Sequence, residues 1–156
     1  YRTSGNYAVE GEIFLFPGEG QGEYGVFIGG EFGDAPASPA TYLAFVARRD
    51  GQGAVLRWQA SGVTPVLDWR ASPAILPHPG KDTVKNVMRV EVGPTEMIFS
   101  ANGAEFGRIP RGDIRTDGQF GFRVGKDVNL HVSRLDMTVK LAPQPRRGGG
   151  PGTRRR

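Results

Sequence analysis

The sequence predicts an all-β domain, a two-sheet antiparallel sandwich of jelly-roll form with about ten strands. Three observations carry that prediction. Short apolar runs with period-two alternation recur between residues 7 and 139, and nothing shows sustained helical periodicity. The 24 glycines and 12 prolines fall between those runs without a three-residue period, as turn residues do in all-β chains. Asn102-Gly103 separates two of the runs and fits a type I′ hairpin turn, because both residues tolerate positive φ.

Taken in order, residues 7–16 (YAVEGEIFLF) open the fold, with Tyr7, Val9, Ile13 and Leu15 on one face and Glu10, Glu12, Phe14 and Phe16 on the other. Pro17-Gly18 ends that strand. Residues 24–28 (YGVFI) are apolar on both faces, as an interior strand is. Two prolines make residues 32–40 (FGDAPASPA) a loop. Residues 42–48 form the next strand and turn through Arg49-Asp50-Gly51 into residues 54–59. There Ala54, Leu56 and Trp58 define the apolar side, which places Trp58 in the core. A short strand at 66–69 precedes RASPAILPHPGKD, whose three prolines make it a structured loop.

Residues 84–92 turn Val84, Met88, Val90 and Val92 one way and Lys85, Arg89 and Glu91 the other. Residues 97–101 and 104–109 are the two arms of the Asn102-Gly103 hairpin. Residues 111–115 have room for one helical turn. Asp117-Gly118 leads into Phe120, Phe122 and Val124. The last strand carries apolar residues on even positions through Val132 and on odd ones from Leu135, a slip that a β-bulge at Ser133-Arg134 absorbs.

Composition narrows the function classes. With no cysteine, disulfides, thiolate metal sites and cysteine nucleophiles are all excluded. No apolar run approaches the roughly 20 residues of a membrane helix. The net charge of +4 misleads, because five of the 20 basic residues (Arg146, Arg147, Arg154, Arg155 and Arg156) crowd the last eleven positions. The remaining 15 face 16 acidic residues, leaving −1 for residues 1–145, so a globular nucleic-acid interface loses its support. The expected division is a sandwich domain over residues 1–142 and a Gly/Pro/Arg-rich tail over 143–156, the latter low in complexity and disordered when alone. The chain opens on Tyr1 rather than Met, as either a processed mature form or a trimmed chain does. In the first case a signal peptide is the expected missing piece.

The pieces YGVFIGG, YLAFVARRDG, VKNVMRVEV, EMIFSANGAEF, DGQFGFRVG and VNLHVSRL together resemble bacterial members of the concanavalin A-like lectin/glucanase superfamily, closest to laminin-G-like and 3-keto-disaccharide-hydrolase-like domains. The likeness covers most of residues 7–140. It implies a fold that hosts sugar binding, hydrolysis and pure protein contacts. The Glu-x-Asp-x-x-Glu cluster of the superfamily's glucanases has no counterpart here. Glu10 and Glu12 are the one carboxylate pair on a shared strand face, about 7 Å apart along the strand.

Arg123, Asn129 and His131 oppose the apolar parity of their strands. If those strands pair, the three share a polar face, and on a concave sheet they form a site for sugar hydroxyls. Trp69, just before the proline-rich loop, is the ring best placed to stack on a pyranose; Tyr24, Tyr42 and Trp58 are further candidates. His78 has one other histidine in the chain and makes no zinc site. No cofactor is expected; loop residues Asp34, Asp82 and Asp117 admit calcium but lack EF-hand spacing and suit turns. Arg111-Gly112-Asp113 spells an adhesion tripeptide that arises readily in an Arg- and Gly-rich chain.

These features predict a non-catalytic extracellular or periplasmic domain that binds carbohydrate through Arg123, Asn129, His131 and Trp69. The alternatives are an assembly subunit using sheet edges and the basic tail, and a glycoside-cleaving enzyme using Glu10 and Glu12. The tail's arginines make self-association or a polyanion a further expected partner.

Overall fold

A computed structural model describes residues 2–33 and 40–140. It contains eleven strands: β1 (Arg2–Thr3), β2 (Tyr7–Leu15), β3 (Tyr24–Glu31), β4 (Thr41–Ala47), β5 (Gln52–Gln59), β6 (Gly62–Ala71), β7 (Val84–Val92), β8 (Glu96–Ala101), β9 (Ala104–Pro110), β10 (Gly118–Val124) and β11 (Leu130–Val139). All pairings are antiparallel. A six-stranded sheet runs β1-β10-β3-β4-β5-β6, and a five-stranded sheet runs β11-β2-β7-β8-β9. The expected jelly-roll sandwich is the observed one.

Parity decides what lies between the sheets. Tyr7, Val9, Ile13 and Leu15 of β2 face Tyr24, Val26 and Ile28 of β3 in one buried cluster. Phe45 of the six-stranded sheet meets Phe99 edge-on at 5.7 Å and Phe106 at 5.2 Å, both from the other sheet. Such aromatic contacts add about 0.5–1.5 kcal/mol each beyond the area they bury.

Asn102 and Gly103 take φ values of 53° and 80°, the left-handed pair that a type I′ turn requires. The register of β11 against β2 shifts between Val132 and Arg134, where the apolar parity slips. Three readings change. Arg2–Thr3 adds a short strand that two residues of sequence do not announce. β6 starts at Gly62 rather than Val66 and carries Pro65, which an edge strand tolerates because one side of its backbone has no ladder partner. Residues 111–115 close a turn, Ile114 N–H to Arg111 C=O at 3.2 Å, and not a helix.

The 72–83 loop is tied down by a pair of amides, buried Asn86 and exposed Asn102. Asn86 is fully buried; its Oδ1 accepts from Leu76 N–H at 2.9 Å and its Nδ2 donates to Leu76 C=O at 3.0 Å and Tyr24 Oη at 3.1 Å. Asn102 Nδ2 adds bonds to Asn86 Oδ1 at 2.8 Å and Ala74 C=O at 2.9 Å. His78 is buried in the same loop, accepting at Nδ1 from Gly80 N–H at 2.9 Å. Asp34 and the tail from 143 to 156 lie outside the described residues.

Candidate functional site

The outward face of the six-stranded sheet is itself apolar. On β4 the residues facing away from the core are Tyr42, Ala44 and Val46; on β5 they are Ala54, Leu56 and Trp58. Ala44, Val46 and Ala54 are completely buried although they point outward. Phe27, Trp58 and Trp69 pack over them as a second hydrophobic cluster. A solvated sheet face normally alternates to polar residues; this one carries a fixed aromatic surface instead.

The rings are ordered. Tyr42 and Trp58 are direct cross-strand partners and stack at 4.7 Å, 15° from parallel. Phe32 stacks on Tyr42 at 6.0 Å, and Phe27 contacts both Phe32 and Tyr42. Arg123 of β10 lies over Trp58, 5.1 Å from guanidinium carbon to ring centre, and Arg48 covers Trp69 at 3.7 Å. Both distances are those of cation–π contacts. Gly25 is the β3 partner of Arg123, and a Cβ there would collide with the Phe45 carbonyl oxygen.

Arg123 Nη2 donates to Glu23 Oε1 at 2.8 Å. Burial pushes the Glu23 carboxyl up, but the Arg123 hydrogen bond and the charges of Arg123 and Arg48 outweigh it and hold it below its ordinary value. Burial raises the Tyr42 hydroxyl. Beside this stack Phe27, Phe32, Tyr42, Phe122, Arg123 and Val124 line a depression of about 300 Å³, at the lower end of ligand-pocket sizes.

The structure separates the sequence-predicted set. Arg123 is on β10, which pairs with β1 and β3; His131 is on β11, which pairs with β2 in the other sheet. Their strands do not adjoin, so the shared polar face of Arg123, Asn129 and His131 does not form. His131 is exposed beside Phe14, 6.2 Å between ring centres. Asn129 is exposed just before β11, and its carbonyl accepts from Phe16 N–H at 3.0 Å. Trp69 does lie on the face that carries Arg123. Trp58, expected in the core, lies there too, because the apolar parity of β5 that is richest in large residues is the outward one.

Sequence reading missed Glu23, Arg48 and Phe32. The signal was present for two of them: Glu23 shares parity with Gly25 and Phe27, and Arg48 with Tyr42, Ala44 and Val46.

Glu10 and Glu12 sit on the outward face of the five-stranded sheet within an ion-pair ladder. Arg89 reaches Glu10 at 3.2 Å; Arg134 reaches Glu10 at 3.0 Å and Glu12 at 3.8 Å; Ser133 Oγ donates to Glu12 at 2.8 Å. Arg111 turns inward, donating to Asn6 Oδ1, Gly93 C=O and Thr116 Oγ1 at 2.8–3.2 Å, which commits the adhesion-like tripeptide's arginine to structure. Asp117 accepts from Gly5 N–H at 3.1 Å as a turn residue does. Among the described residues no cluster of three potential metal ligands forms, and no helix is long and apolar enough to cross a membrane.

No protein-family model and no curated protein sequence matches the chain. Solved structures do match its fold. A carbohydrate binding module, CBM66 from Bacillus subtilis, superposes with TM-score 0.66 at 13% identity, covering 89% of this chain and 78% of the module. Sheep galectin-11, in complex with glycerol, matches with TM-score 0.59 at 13% identity, over 88% of this chain and 96% of the galectin. A mixed-linkage glucan GH16 protein of Bacteroides ovatus, in complex with its G4G4G3G product, matches with TM-score 0.60 at 10% identity, over 84% and 68%. The fold is therefore the jelly-roll sandwich that these solved structures share.

Proposed function

We propose that the protein is a non-catalytic carbohydrate-binding domain acting outside the cytoplasm, in an extracellular or periplasmic setting. The observation that carries this reading is the ordered aromatic surface Phe32–Tyr42–Trp58, with Arg123 and Glu23 at its side, on the outward face of the six-stranded sheet. Aromatic faces take the C–H groups of pyranose rings, and charged groups beside them fix ring orientation by hydrogen bonds. Arg123 and Trp69 remain in the proposed binding set. Phe32, Tyr42 and Trp58 join it, and Asn129 and His131 lie apart from it.

The likeness to a carbohydrate binding module and a galectin supports this reading at the level of fold. The ion pairs of Glu10 and Glu12 with Arg89 and Arg134 speak against their use as acid and base, because each carboxylate is already engaged. An assembly role would rest on the tail and the sheet edges.

Affinity electrophoresis against a panel of soluble polysaccharides tests the proposal. Wild type is expected to be retarded by at least one of them, and Phe32→Ala to lose that retardation while keeping its fold. Retardation by none, or full retention in Phe32→Ala, Trp58→Ala and Trp69→Ala, overturns it.

A further inference from the structure

Resting on the carbohydrate reading above, we propose that the depression beside Arg123 selects an acidic saccharide, one whose carboxylate or sulfate docks on the Arg123 guanidinium while its ring lies against Phe32. Sugar hydroxyls both donate and accept, so sites for neutral sugars need free acceptors as well as donors. This depression offers almost none. Among the described residues that line it, Arg123 is the one charged side chain and the Tyr42 hydroxyl the one other polar group; Phe27, Phe32, Phe122 and Val124 supply the rest.

The guanidinium has donors to spare. Nη2 is used by Glu23, but Nε is buried without a partner among the described residues. Nη1 makes no hydrogen bond among the described residues and is not buried like Nε, and a planar guanidinium with a spare N–H matches a group that only accepts. The Glu23 carboxylate, an acceptor beside the depression, is occupied by that same arginine. Charge agrees with this chemistry: Arg48 lies over Trp69 and Arg123 over Trp58, and both charges reach Glu23. Low-dielectric aromatic walls around the guanidinium strengthen its pull on an anion.

The test is titration calorimetry of the full chain with trigalacturonate, a sulfated galactotriose and neutral galactotriose, at low and high salt. The acidic trisaccharides are expected to bind about tenfold or more tightly than the neutral one, the step that a charge-assisted hydrogen bond supplies, and to weaken with salt. Whichever acidic arm binds identifies the anionic group. Arg123→Gln is expected to abolish the preference, and Glu23→Gln, which frees Nη2, to tighten acidic binding; the second variant decides if the first fails to fold. Two results overturn the inference and leave the carbohydrate reading standing: neutral and acidic sugars binding alike, or a preference that persists in Arg123→Gln through the tail arginines. Binding to no saccharide, acidic or neutral, overturns both.

Discussion

Tyr42 and Trp58 stack 4.7 Å apart and 15° from parallel on the outside of the sandwich, not within it. As cross-strand partners of β4 and β5 they extend the stack from Arg123 at one end to Phe32 at the other. Packing leaves Tyr42 at 8% exposure, whereas Phe32 stands at 46% and is the ring open to a ligand. The two rings should therefore respond differently to truncation. Trp58→Ala is expected to cost about 2–3 kcal/mol in urea denaturation, since it uncovers the outward cluster. Phe32→Ala should cost less than about 1 kcal/mol and still lose glycan retention.

Asn102 serves the hairpin and the loop at once. Its backbone takes φ 53°, and its side chain bonds Val87 N–H at 2.9 Å as well as Ala74 and Asn86. Asn102→Ala loses both services and is expected to cost about 2–4 kcal/mol. Asn102→Gly keeps the left-handed turn and loses only the side-chain bonds, so it should be about 1 kcal/mol less damaging. Equal losses in chemical denaturation would refute the split.

Two buried tyrosines predict alkaline sensitivity. Burial pushes the Tyr24 and Tyr7 hydroxyls from 10.0 up to about 12 in the folded chain. Raised folded values favour the protonated form, so this stability is fully present below pH 10.0 and is lost as pH climbs toward about 12. Tyr24→Phe removes the Oη that accepts from Asn86 and should cost about 1 kcal/mol at neutral pH. In return its stability should fall less steeply above pH 10.0. Melting curves across that range check the slope.

Glu10 and Glu12 provide a contrasting pair. Their ladder with Arg89 and Arg134 is partly exposed, with side-chain exposures of 23–45%. Ion pairs of that kind are worth under about 1 kcal/mol. Glu10→Gln and Glu12→Gln are each expected to shift stability by less than that and to leave glycan retention unchanged. Loss of any saccharide turnover in these variants would revive the catalytic alternative.

The sequence was readable where local chemistry decides. Asn102-Gly103 named its own turn, and the parity slip after Val132 named its own bulge, because a residue's φ preference and a two-residue period are both local properties. Parity tells which side of a strand a residue occupies, but not which sheet the strand joins. β10 and β11 are successive, yet the chain crosses between sheets over residues 125–129, and this parted Arg123 from His131. Trp58 misled for a related reason: both faces of β5 are apolar, so its larger residues marked the outside. Glu23 and Arg48 sit at strand ends, where charged residues pass as ordinary solvated termini. Only the spatial stack shows them beside Arg123 and Trp69.

The most direct measurement is a map of backbone and side-chain NMR shifts during titration with a saccharide that retards the protein. The perturbed resonances are expected to cluster at Phe27, Phe32, Tyr42, Trp58 and Arg123, with His131, Phe14 and Glu10 unmoved. A cluster centred on His131 and the outward face of the five-stranded sheet would contradict the proposed site.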